Sequence, residues 1–418
     1  MKNYLLSLLA TLLFLGALAQ DTTQQIVPGR VNRPEQLKKP YVILISADGF
    51  RYDLADKYQA KNLLKLREEG VKADYMQPSF PSLTFPNHYT IVTGLYPAHH
   101  GLVDNSMYDA AMNKFYGISK RSAVTDSSWY GGTPLWVLAE KSGMLTASFY
   151  WVGSEAAIQG VRPTYYYNFN TKIPMDTRIQ AVHDWLSLPE EKRPHLIFFY
   201  MPEVDHEEHA HGIESKETED AVHFVDESIG KMVRSIDSLH LPVNYIFLSD
   251  HGMLAVDTAK TIPMPAALDT TQFRVVNSMT LVHLYAYDKK YVMPADSALK
   301  AEAKDYKVYL PDELPAEWHY SKADDRYNRI GDIILVSNPP QVFDFRRKYR
   351  VNPGNHGFDP TLTEMHATFY AWGPAFKKHY NIPGFENIHV FPLIAKMLEL
   401  PYSDIIDGRL RVLKRTLK

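Results

Sequence analysis

Apolar positions along this chain follow two periods. Mostly apolar, largely β-branched or aromatic runs fall at 41–47, 196–201 and 245–248, the pattern of strands buried on both faces of a parallel sheet. Shorter runs at 71–78, 145–152 and 369–376 read as further strands. Between them the spacing becomes helical. Residues 54–70 form an amphipathic stretch that Gly70 would stop, and 135–143, 179–188 and 390–400 behave alike. At 221–236 the apolar set is Val222, Val225, Ile229, Met232, Val233 and Ile236. Trp185, on the apolar face of its helix, is expected in the core. This alternation predicts an α/β fold with a mostly parallel central sheet and helices on both faces.

Residues 258–341 break the rhythm. They are rich in Pro, Tyr and charge, with strand-like runs at 279–287 and 333–336. We read them as a small α+β insertion that walls a site, with 40–257 and 342–418 forming one body. Residues 1–19 have the basic start, apolar run and Ala17-Leu18-Ala19 ending of a secretory signal, and 20–39 a polar, Pro-punctuated leader. The apolar run is too short to span a membrane well, so no span is expected in the mature chain.

The 418 residues include no cysteine, which excludes disulfides. An exported chain without them fits a bacterial periplasm or culture medium. A formal net charge of −3 gives no argument for binding nucleic acid in bulk.

The chemistry sits where the apolar runs stop. The run at 41–47 ends in Asp48, and the run at 245–248 leads to Asp250-His251-Gly252. The run at 196–201 leads to Asp205 and His209, four apart, so that one helical turn or a compact loop would aim both at one ion. Far downstream, His356 lies in a Gly-rich turn. A lone Asp at a strand end is usually a cap or turn residue. Three such ends, two with His alongside, point to a metal site where open α/β sheets bind ligands. Asp with His suits Zn²⁺ or another borderline first-row metal better than Mg²⁺ or Ca²⁺.

Thr84, in Ser82-Leu83-Thr84-Phe85-Pro86-Asn87-His88, reads as a nucleophile of the kind that metal coordination activates. If it opens a helix through Thr93, the first amides would face an anion. His206 and His211 flank the ligand pair, and at least one has a supporting or solvated role. His88, His99 and His100 lie near the nucleophile, but position alone does not make them ligands. His366 is as compatible with the core as with the surface.

With these residues assembled, the chain resembles the nucleotide pyrophosphatase/phosphodiesterase family of the alkaline phosphatase superfamily, from about residue 40 to 401. The resemblance rests on Thr84-Phe85-Pro86-Asn87-His88, Thr93-Gly94-Leu95-Tyr96-Pro97, Trp151-Val152-Gly153-Ser154-Glu155, Asp250-His251-Gly252-Met253 and His356-Gly357-Phe358-Asp359. It implies an alkaline-phosphatase-like sheet and two Zn²⁺ ions. Asp205, His209 and His356 would hold one, and Asp48, Asp250 and His251, with Thr84, the other. It implies Asn105 as a donor to a phosphoryl oxygen, and Phe85, Phe169 and Tyr200 around a nucleobase, although 165–169 offers several aromatics. Leu83 departs from the family, many animal members of which carry Lys there. The implied activity is hydrolysis of phosphodiester or pyrophosphate bonds of nucleotides through a phosphoryl-threonine. The alternatives are a phosphomonoesterase of the same superfamily and a non-catalytic zinc-dependent binding protein.

Overall fold

The computed structural model describes residues 22–346 and 351–418. The signal sequence expected at 1–19 lies outside them. At the centre is a nine-stranded sheet, in the order Gln24–Ile26, Tyr165–Tyr167, Thr146–Phe149, Leu196–Met201, Tyr41–Ala47, Val243–Leu248, Phe369–Trp372, Val71–Ala73, Tyr380–Ile382. The four middle strands from Thr146–Phe149 to Val243–Leu248 run parallel. Phe369–Trp372 is antiparallel to its neighbours on both sides, so the sheet is mixed beyond that point. This is the α/β fold with a parallel centre that the alternation predicts.

Strand alternation divides the core in two. Val42, Leu44, Leu196, Phe198, Ile246 and Leu248 face one layer, where they meet Tyr89, Ile91 and Val92 of the helix Thr84–Thr93. Ile43, Ile45, Ile197, Phe199, Tyr245 and Phe247 face the other, against Val182, Trp185, Val225, Ile229 and Met232. Each such side chain, once fully buried, contributes about 1.5–3 kcal/mol. Trp185 is in the core, and its indole N–H donates to Gln24 Oε1 at 2.7 Å. His366 also packs inside, stacked on Tyr75 with ring centroids 3.9 Å apart.

Several boundaries differ from the sequence reading. The stretch 54–70 is two helices, Leu54–Lys57 and Lys61–Glu68, separated by Gln59 at a φ of 54°. The second starts afresh because Asp226, from a distant helix, accepts the Asn62 and Leu63 backbone N–H groups at 3.1 and 2.7 Å. Gly70 is not a left-handed stop. A Cβ there would lie 2.2 Å from the Ala371 carbonyl, so close strand packing demands the glycine. The helix read at 221–236 runs Lys216–Asp237, because Ser215 caps it by accepting the Thr218 N–H at 3.1 Å. The leader contributes an edge strand, Gln24–Ile26, paired with Tyr165–Tyr167.

Within 258–341 a separate antiparallel sheet orders Phe273–Asn277, Leu281–Ala286, Ile333–Ser337 and Tyr306–Tyr309. It has its own apolar cluster, including Phe273, Val282, Leu284, Leu299, Ile333 and Leu335. Met279, at a φ of 69°, belongs to the turn before Leu281–Ala286 rather than to a strand.

Candidate active site

Register brings the strand-end residues together. Ala47 pairs with Met201 and Ser46 with Leu248, so the strands carrying Asp48 and Asp250 end level and side by side. After Met201 the chain turns into the helix Glu203–His211, and the Asp205 N–H donates to the Asp48 carbonyl at 3.1 Å. Asp205 and His209 thus share one helical turn. His356 arrives by a short ladder in which Asn355 pairs with Leu254.

Each of the three imidazoles is oriented from behind. His209 Nδ1 donates to the Gly354 carbonyl at 2.8 Å, His251 Nδ1 to that of Gly252 at 2.9 Å and His356 Nδ1 to that of Ser82 at 2.9 Å. A carbonyl only accepts, so each Nδ1 carries a proton, and in the neutral ring each Nε2 offers a lone pair. These lone pairs converge. His209 Nε2 is 3.1 Å from His356 Nε2, and the His251 and His356 rings stack at 3.6 Å. Asp205 Oδ1 is 3.4 Å from His209 Nε2 and 3.6 Å from His356 Nε2. His251 Nε2 lies 3.0 Å from Asp250 Oδ2, 3.5 Å from Asp48 Oδ1 and 3.3 Å from Thr84 Oγ1.

This arrangement fits a bound cation. Two facing nitrogen lone pairs at 3.1 Å repel unless a positive charge lies between or beside them. Asp48 Oδ1, Asp205 Oδ1 and Asp250 Oδ2 are buried without a hydrogen-bond donor. Among the described residues, two sets of donor atoms lie mutually within 4.8 Å: Asp48, Asp250 and His251, and Asp205, His251 and His356. His251 belongs to both, while His209 stands at the edge of the second.

The electrostatics agree. Burial, and then the Asp250 and Asp205 carboxylates, push the Asp48 carboxyl well above its ordinary range. Burial pushes Asp250 the same way, but the His251 and His88 imidazoles more than offset it and hold Asp250 well below. Burial and the neighbouring His251 and His209 keep His356 a neutral ring, well below the usual histidine range.

Thr84 opens the helix Thr84–Thr93, half-exposed above this cluster. Beyond Thr84 itself, the first turn of the helix offers an anion no open amide. The Phe85 N–H donates to Asn105 Oδ1 at 3.0 Å, Pro86 has no N–H, and the Asn87 N–H bonds the Leu83 carbonyl. With its oxygen committed, Asn105 keeps its NH₂ as the donor beside Thr84.

The aromatic residues are placed unequally. Phe85 is half-buried against Tyr116. Phe169 is 49% exposed and tilts toward Tyr200 at 6.3 Å. The Tyr200 hydroxyl donates to Asp48 Oδ2 at 2.5 Å, so this residue braces a carboxylate as well as offering a ring.

Two further residues adjoin the site: His88, which the sequence placed near Thr84 without giving it a role, and Glu208, which it did not single out. His88 Nδ1 donates to the Thr84 carbonyl at 2.9 Å and lies 3.2 Å from Asp250 Oδ2, while Nε2 shares a hydrogen bond with Ser46 Oγ at 2.8 Å. Its position four residues after Thr84 puts it on the same helix face, a signal that was there to use. Glu208 is buried with neither oxygen paired, and burial with Asp205 nearby pushes it well above the carboxylate range. The spacing of three from Asp205 was its only trace. His99 and His100 turn elsewhere, His99 to Asp407 and His100 to Thr90. His206 lines a separate cavity of about 660 Å³ with Arg178 and Glu203, and His211 pairs with Glu207. Trp151 backs the helix Thr84–Thr93, its indole N–H donating to the His88 carbonyl at 3.1 Å.

The profile of the type I phosphodiesterase/nucleotide pyrophosphatase family matches residues 42–359. A venom phosphodiesterase of Naja atra is 33% identical over 380 residues, which is 88% of this chain and 45% of that protein. Ectonucleotide pyrophosphatase/phosphodiesterase family member 3 of Rattus norvegicus is 33% identical over 381 residues, 88% of this chain and 43% of that protein. The chain therefore spans less than half the length of these relatives. Murine ectonucleotide pyrophosphatase/phosphodiesterase 5 superposes with a TM-score of 0.84 at 28% identity, covering 90% of this chain and all of that one. An inactive threonine-to-alanine variant of the same murine protein, in complex with AMP, superposes equally well at 0.84, with 27% identity and 91% of this chain covered.

Proposed function

The chain belongs to the type I phosphodiesterase/nucleotide pyrophosphatase family, and from that premise we propose that it hydrolyses phosphodiester or pyrophosphate bonds of nucleotides and related diesters, with two zinc ions and a phosphoryl-threonine intermediate. The observation that carries the reading is the convergence of unpaired carboxylate oxygens and imidazole lone pairs directly beneath Thr84 Oγ1. Asp205, His209 and His356 would hold one ion, and Asp48, Asp250, His251 and Thr84 the other. When bound, such ions supply Lewis acidity that favours the threonine alkoxide and the departing oxygen.

The chain's own residues do the rest. Thr84 Oγ1 attacks phosphorus in line as the bond to the leaving oxygen breaks, and water then cleaves the Thr84 ester. Asn105 donates its NH₂ to a non-bridging oxygen. Tyr200 and His88 hold Asp48 and Asp250 in place. Phe85, with Phe169 and Tyr200, forms the slot for a base, in keeping with AMP bound to the inactive murine variant.

A neutral donor beside the nucleophile favours a diester over a monoester, whose extra charge calls for an Arg fork. No Arg stands between Lys72 and Lys120 in the sequence around Thr84. The test is turnover of an aryl nucleotide diester against the matching aryl phosphate by metal-replete protein. A lower kcat/KM on the diester defeats the diesterase reading in favour of the phosphomonoesterase. No turnover on either leaves a binding protein. We place the enzyme outside the cytoplasm, in a bacterial periplasm or medium, on its export-like start and lack of cysteine. No helix among the described residues is long and apolar enough to cross a membrane.

A further inference from the structure

We propose that His283 is a positioning residue for Asn105, and that the sheet within 258–341 thereby completes the phosphate-binding half of the site. This rests on the role given to Asn105 above. Along the strand Leu281–Ala286 the side chains alternate. Val282 and Leu284 enter the small sheet's own cluster, whereas Leu281, His283 and Tyr285 face the catalytic body. His283 is fully buried and meets a fully buried carboxylate: its Nε2 lies 3.0 Å from Asp104 Oδ2. Its Nδ1 lies 2.8 Å from the Ile330 carbonyl.

Both partners accept. The carbonyl takes a proton from Nδ1 and the carboxylate takes one from Nε2, so the ring is an imidazolium. Of the groups around it, burial works against the charge, while Asp104 from the body and Asp325 from the neighbouring loop favour it. Tyr285 on its own strand is also close, with ring centroids 6.4 Å apart.

The pair bears on Asn105 through the backbone. Asp104 Oδ1 accepts the Ser106 N–H at 2.8 Å, closing a turn whose central residue is Asn105. The same oxygen accepts the Ser278 hydroxyl, also from the small sheet's side. Further bonds reach the same segment. Tyr320 donates to the Val103 carbonyl at 2.6 Å, and Arg329 donates to the Gly101 carbonyl at 2.8 Å and to Asp109 Oδ2 at 2.7 Å. Asn105 is thus the half-buried apex of a loop fixed from beneath by a buried charge, and its amide plane is set where it meets Phe85 N–H.

The test is a double-mutant cycle on the full, metal-replete chain, using an aryl nucleotide diester. Asn105→Ala and His283→Gln should each lower kcat/KM about tenfold or more, chiefly through kcat, and the double variant should match Asn105→Ala within about threefold. Effects that multiply overturn the proposal. Should His283→Gln not fold, Ser278→Ala carries the same cycle. A second measurement needs no activity. In protein labelled at His and Asn with ¹⁵N, the His283 ring should carry protons on both nitrogens at neutral pH, and the Asn105 side-chain amide should shift when His283 is replaced. A neutral ring, or an unmoved Asn105 amide, overturns the proposal whether or not the wild type turns over diesters. Absent turnover with both signals as expected instead counts against the functional reading alone.

Discussion

At the ends of the central strands, Asp48 and Asp250 are buried and Asp205 half-buried, with no lysine or arginine in ion-pair range among the described residues. Under the Asn105 loop, Asp104 and Asp109 are equally buried, but each has a cation of its own, His283 and Arg329. One oxygen of each carboxylate in the first group (Asp48 Oδ1, Asp205 Oδ1 and Asp250 Oδ2) is left without a donor, while both oxygens of Asp104 are satisfied. Burying a carboxylate costs several kcal/mol unless something compensates it. The second cluster is compensated from within the chain and serves architecture. The first is a deficit the chain does not close itself, which is what a site built around an added cation looks like. The most direct way to break this contrast is at the atom poised over the deficit. Thr84→Ala should lower kcat on an aryl diester by on the order of 10³-fold or more, while leaving metal content and thermal stability near wild type. Covalent phosphate trapped on any other residue would remove Thr84 from the mechanism.

The next largest effect separates the clusters by their dependence on metal. A chelator should lower Tm and abolish activity, because a ligand held at about a thousandfold over its Kd contributes about 4 kcal/mol. His356→Ala should show that loss in part without chelator, with less than the full metal complement on elemental analysis. Two tightly held ions and full activity in His356→Ala would contradict its place in the ligand set.

The second cluster should respond to pH instead. Burial opposes the charge on His283, but Asp104 raises its pKa above the ordinary histidine value. The stabilisation from that pair is therefore fully present below about pH 6.5 and is lost as pH rises through the folded value. His283→Gln should cost about 3 kcal/mol on the acid side of neutrality, at the low end for breaking a buried pair. The gap to wild type should narrow toward alkaline pH. A gap that is constant with pH in denaturant unfolding would mean that the ring is not charged in the native protein.

How far the sequence reached obeys the same division. Asp48, Asp250 and His251 were legible because a parallel strand buried on both faces announces its end, and the residues just past that end stand at the ligand-binding edge. Thr84 was legible from its motif and from Pro86 in a first turn. Residues that act through tertiary contact were not. Asp104 reads as a turn residue, and His283 as one polar position in an apolar strand, until the small sheet docks. The expected anion nest at Thr84 is narrower than the motif suggested for a related reason: the Phe85 amide is claimed by Asn105, from a separate loop. The helix at Lys61 likewise took its start from Asp226, which no local pattern could supply.

The smallest expected effect concerns the one part of the site that neither metal nor ion pair holds. Phe85 is half-buried and touches Tyr116, Phe169 is exposed, and Tyr200 is tied by its hydroxyl to Asp48. An adenine entering between Phe85 and the other two rings would gain stacking of about 1–3 kcal/mol and would be read for its face rather than its edges. Phe85→Ala should therefore lower kcat/KM for an aryl ester of AMP by about 5- to 150-fold. Purine and pyrimidine esters should fall alike, since every base has such a face. An aryl methyl diester, which has no base, should be hydrolysed by the variant as by the wild type. That internal control matters, because Phe85 adjoins Thr84, and a disturbed nucleophile would depress all three substrates together. Equal loss on the methyl ester would make Phe85 a packing residue of the nucleophile helix, and the slot would have to be rebuilt from Phe169 and Tyr200 alone.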